Sequence, residues 1–183
     1  MPLSEVSNAI YEYLKPDNSN IANFGTLYQT LPKIAQESDL FTNTYPGVGV
    51  GATIYQFFTD QVESREALGG PHDGRKLRKY TLTLMIIMKS DLPDTESGQL
   101  LYNQFIDDLT AWIQADRNAG TEAVSLGGTG EYAGSGCVWQ WGEGGINGGP
   151  DIDIQHMIPR TINGEVTLFQ SVAHITVLEF LNT

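Results

Sequence analysis

The sequence predicts an α+β domain: a mostly antiparallel sheet with a long β-hairpin, one amphipathic helix packed on the sheet, and an N-terminal helix. Three observations lead there. Two strand-length runs, about Gly51 to Glu66 and Leu77 to Lys89, flank the turn sequence Gly69-Gly70-Pro71-His72-Asp73-Gly74. A single long helical pattern follows, from about Glu96 to Arg117. The chain then closes on strand-like segments, the last being about Thr167 to Leu181.

The first element is a helix. Leu3, Val6, Ile10, Tyr13 and Leu14 recur at three- and four-residue steps and form one apolar stripe. Ser4 suits its N-cap, and Pro16 with Asp17, Asn18 and Ser19 suits its end. From Ile21 to Ala35 the apolar residues are interrupted by Gly25 and Pro32, which predicts an irregular loop with at most a turn of helix. The hairpin comes next. In its second strand Tyr80, Leu82, Leu84, Ile86 and Met88 face one way, while Lys79, Thr81 and Thr83 face the other, joined later by Met85 and Ile87. A strand polar on one face at its start and apolar on both faces later runs from solvent into a covered region. The apolar character of Met85 and Ile87, where alternation calls for polar residues, also predicts subunit contact.

The helix over 96–117 has Asp94 or Thr95 as cap and Glu96 in its first turn. Leu101, Phe105, Leu109, Trp112 and Ile113 share one face, the pattern of a helix lying on a sheet. Ten of the 20 glycines then fall between Gly127 and Gly149, around the short strand Cys137-Val138-Trp139-Gln140-Trp141. Asp151 to Gln155 alternates acid out and isoleucine in. The closing strand carries Val172, Ile175, Val177, Leu178, Phe180 and Leu181 and suits a central position. These elements make one domain over 1–183. Residues 1–50 supply the N-terminal helix and an irregular arm, and 51–183 the sheet-plus-helix core with its glycine-rich insert at 127–149.

Composition narrows the function. The 183 residues carry 22 acids against 10 bases, a net charge of −12. Such a surface repels nucleic acid and anionic membranes. The single cysteine, Cys137, excludes a disulfide framework and a multi-cysteine metal knot within the chain. The opening MPLSEVSNAIYEYL lacks the basic and apolar regions of a signal peptide, and no apolar run is long enough to span a bilayer. The expectation is a protein folded in a reducing compartment.

Motifs for chemistry are weak. Gly128-Thr129-Gly130-Glu131-Tyr132-Ala133 matches GxGxxA, but no helix follows it to hold a pyrophosphate, so no cofactor is expected. His72, His156 and His174 lack metal-ligand spacing, and Asp151 with Asp153 reads as a solvated strand edge, so no metal is expected. There is no GxSxG elbow, and Cys137 sits beside Val138 and Trp139 as a buried thiol would, so no catalytic residue is assigned. Arg75, Lys76, Arg78 and Lys79 form the one basic cluster, four of the ten bases in five positions. Against so acidic a remainder they suit an acidic protein surface, including a neighbouring subunit, and are the candidate protein interface.

The hairpin VESREALGGPHDGRKLRKYTLTLMIIMKS, the helix TESGQLLYNQFIDDLTAWIQA and the ending TLFQSVAHITVLEFL together resemble the tail terminator, or tail completion, proteins of long-tailed bacteriophages. The resemblance is one of pattern and runs from Thr53 to Leu181. The first fifty residues and the glycine-rich insert fit it less well. It implies a non-enzymatic structural protein of the virion tail or neck, made in the host cytoplasm. Six copies would form a ring at the head-proximal end of the tail, ending growth of the tube and joining tail to head. Its partners would be itself as a homohexamer, the tail-tube protein and the head–tail connector proteins, with phage DNA only as cargo passing through. Two other readings stay open. A non-catalytic ligand- or carbohydrate-binding module would use Trp139, Trp141 and the glycine loops. A small hydrolase or metal enzyme would need histidines and acids to converge.

Overall fold

The computed structural model describes residues 3–19, 21–30, 50–65, 75–115, 137–141, 152–162 and 166–182. Helix α1 (Leu3–Leu14) and the single turn α2 (Pro16–Ser19) lead into strand β1 (Phe24–Tyr28). The long strands β2 (Gly51–Arg65) and β3 (Arg75–Ser90) follow, then helix α3 (Thr95–Ala115). Three short strands, β4 (Cys137–Trp141), β5 (Ile152–His156) and β6 (Arg160–Ile162), precede the long β7 (Val166–Asn182). The fold is α+β, with one mixed sheet ordered β1-β2-β3-β7-β4, β5 and β6 also pairing with β7.

The hairpin forms as its alternation dictates. β2 and β3 pair antiparallel from Gly51 opposite Lys89 to Arg65 opposite Lys76, with a bulge between Phe58 and Asp60. β7 runs beside β3 along its whole length, from Ser90 opposite Thr167 to Arg75 opposite Asn182. The hairpin is therefore no lone projection, since its second strand is central. The three short strands lie end to end along the other side of β7.

Alternation assigns the two faces. On one, Ile54 of β2, Leu82, Leu84 and Ile86 of β3, and Ile175 and Val177 of β7 are fully buried. They pack against Val6, Ile10 and Leu14 of α1 and Phe105, Leu109 and Ile113 of α3. Each such aliphatic side chain stabilises the fold by about 1.5–3 kcal/mol relative to exposure. On the other face a smaller cluster joins Tyr55, Ile87 and Leu168, flanked by Met85 and Ile162. Cover deepens along this face of β3: Lys79 and Thr81 are half-buried, and Ile87 is fully buried. Ile87 finds its partners within the chain, so its apolar character needs no subunit contact, contrary to the expectation from its sequence.

α3 is capped as its sequence predicts. The Asp94 carboxylate accepts from the Glu96 N–H at 2.9 Å, the Ser97 N–H at 3.2 Å and the Ser97 hydroxyl at 2.6 Å. The Ser97 hydroxyl bond first, then the Glu96 N–H, hold its pKa below the ordinary carboxylate value. Gly98, one turn in, lets the helix sit close to the sheet, because a Cβ there would lie 2.8 Å from Ser90 Oγ and 3.2 Å from the Phe169 ring. At its far end Tyr13 stacks on Trp112, with centroids 5.5 Å apart, and donates to the Trp112 carbonyl at 3.1 Å. This contact fixes α1 against α3. A second tie runs from α1 to the sheet, where Gln56 Nε2 donates to the Ser7 carbonyl at 2.8 Å.

Three expectations need correction. The segment after Ile21 is no loop where it is described: Phe24–Tyr28 is a strand, parallel to β2. Gly25, read as an interruption, sits at a register shift between Phe24 and Thr26, the usual place for a strand glycine. Asn23 turns the chain into it at φ 62°, a conformation asparagine tolerates, and its carbonyl accepts from the Ala52 N–H at 2.8 Å. Ser4 lies inside α1 rather than at its cap. Among the described residues the last third holds four strands rather than three, the addition being β6. The turn at 69–74 and the glycine-rich segments around β4 lie outside the described residues.

Candidate functional site

Among the described residues, three places combine polar groups in a defined geometry. The first is the end of the sheet where β3 begins. Arg75, Lys76, Arg78 and Lys79 are all strand residues there, opposite Asn182, Leu181, Glu179 and Leu178 of β7. Alternation sends Arg78 and Lys79 to opposite faces. Arg78 is answered within the hairpin, its Nε donating to Glu63 Oε2 at 2.7 Å. That bond raises the guanidinium pKa further above its ordinary value. A partly exposed pair of this kind stabilises by at most about 1 kcal/mol. The strand register explains it, since Glu63 stands directly across from Arg78. Lys79 is half-buried between Val62 and Leu178.

The second place is a chain of hydrogen bonds beneath α3. Ser171 of β7 has no exposed surface. Its hydroxyl meets the Tyr102 hydroxyl on one side and His156 Nδ1, at 2.7 Å, on the other. Tyr102 comes from α3 and stacks on Phe169 with centroids 5.3 Å apart. His156 comes from the exposed end of β5, and its ring meets Tyr102 edge-on. Burial pushes the Tyr102 phenol up to about 12, the bond to Ser171 opposing part of that rise. The phenol therefore stays protonated. The Ser171 hydroxyl, with one proton to give and lone pairs to accept, links the phenol to His156 Nδ1. A serine with no exposed surface offers nothing to an incoming carbonyl. The chain fixes an imidazole and couples α3, β5 and β7.

On the opposite face a second polar row crosses three strands. His174 Nδ1 meets Thr83 Oγ1 at 3.0 Å, and Thr83 Oγ1 meets Thr59 Oγ1 at 3.0 Å. His156 and His174 are thus held on opposite faces of β7 and do not converge. Asp153, exposed, stands across from His174 on β5. Among the described residues no group of three or more His, Cys, Asp or Glu is gathered as a metal site would require. No helix among them is long and apolar enough to cross a membrane. His72, Asp151 and the GxGxxA segment lie outside the described residues, as do the side chains of Arg75, Lys76, Cys137, Trp139 and Trp141.

Neither Tyr102 nor Ser171 stands out by motif. The signal is Ser171 itself, a polar residue at an inward strand position between Phe169 and Ala173. Such a residue requires a buried partner, and only the packing of α3 supplies Tyr102. No protein-family model matches the chain, and no curated protein matches it.

Proposed function

We propose that the chain is a structural protein of a phage tail, a ring-forming terminator at the head-proximal end that ends tube growth and joins tail to head. The observation that carries this reading is the order of elements. A long hairpin, one amphipathic helix and late strands follow one another in the chain, the order on which the sequence resemblance rests. The acidic surface is in keeping with it. At a net charge of −12, a channel lined by such subunits lets DNA pass without adhering. The basic run from Arg75 to Lys79 then contributes protein contacts, with Arg78 shared with Glu63 of its own chain. Electron microscopy of purified protein and of assembled tails tests the proposal. One ring at the head-proximal end of each tail is the expected result. Copies repeating along the whole tube would make the chain a tube protein and overturn it.

A further inference from the structure

We draw no further inference here: the strongest candidate, the exposed imidazole of His156 at the end of β5, belongs to the Tyr102–Ser171 hydrogen-bond chain already described, and among the described residues no cluster of metal ligands forms around it.

Discussion

Replacing Ser171 by alanine should cost more than the loss of one hydrogen bond. Ser171 is fully buried, and so, nearly, is Tyr102, whose hydroxyl points at it. Removing the Ser171 hydroxyl leaves a buried phenol without that partner, a penalty of about 1–3 kcal/mol. His156 is exposed and its Nδ1 can turn to water, so that side adds little. Replacing Tyr102 by phenylalanine keeps the ring stacked on Phe169 and leaves Ser171 bonded to His156, so about 0.5–1.5 kcal/mol is expected. The double variant removes both partners at once and should cost clearly less than the sum of the two. Urea unfolding of the four proteins measures the cycle. At about 2–4 °C per kcal/mol for a chain of this size, Ser171→Ala should lower Tm by roughly 2–12 °C. Additivity within about 0.3 kcal/mol would show that the two hydroxyls do not depend on each other, and the reasoning would fail.

The same phenol gives a pH dependence. Burial raises its pKa from the ordinary value of 10.0 to about 12 in the folded chain, so the unfolded chain loses this proton first as pH rises. The stability it contributes is intact below pH 10.0 and is lost as pH climbs towards 12. Stability measured across that window should fall less steeply in Tyr102→Phe than in the wild type, and equal slopes would refute the assignment. At Gly98, alanine normally adds about 0.8–1 kcal/mol of helix propensity. Here its Cβ would meet Ser90 Oγ at 2.8 Å, so Gly98→Ala should lower Tm, and Ser90→Ala beside it should recover part of the loss. A higher Tm for Gly98→Ala alone would show that the helix shifts freely on the sheet.

Much of the fold is written in local periodicity. The two-residue alternation of Tyr80 to Met88 needs only neighbouring residues to be read, and it assigned the buried face of β3 correctly. The same holds for the stripe of α3 and for Asp94 as its cap, because helix spacing and capping are set within one or two turns. β1 escaped because its identity is not local. A glycine breaks the alternation, and the strand exists through its pairing with Ala52 to Tyr55, some thirty residues on. Ile87 was read as a place for another subunit, because alternation cannot tell that Tyr55 and Leu168 come to cover it. The basic run was legible as charge, yet only the strand register put Glu63 across from Arg78. Tyr102, Ser171 and His156 come from three elements far apart in the chain. Their meeting depends on how α3 lies across β7 and how β5 pairs with it, so no spacing in the sequence could announce it. Sequence alone determined which residues prefer strand, helix and interior. Tertiary packing decided which polar groups meet and which apolar ones stay exposed, because those outcomes depend on distances between segments that the chain itself does not fix.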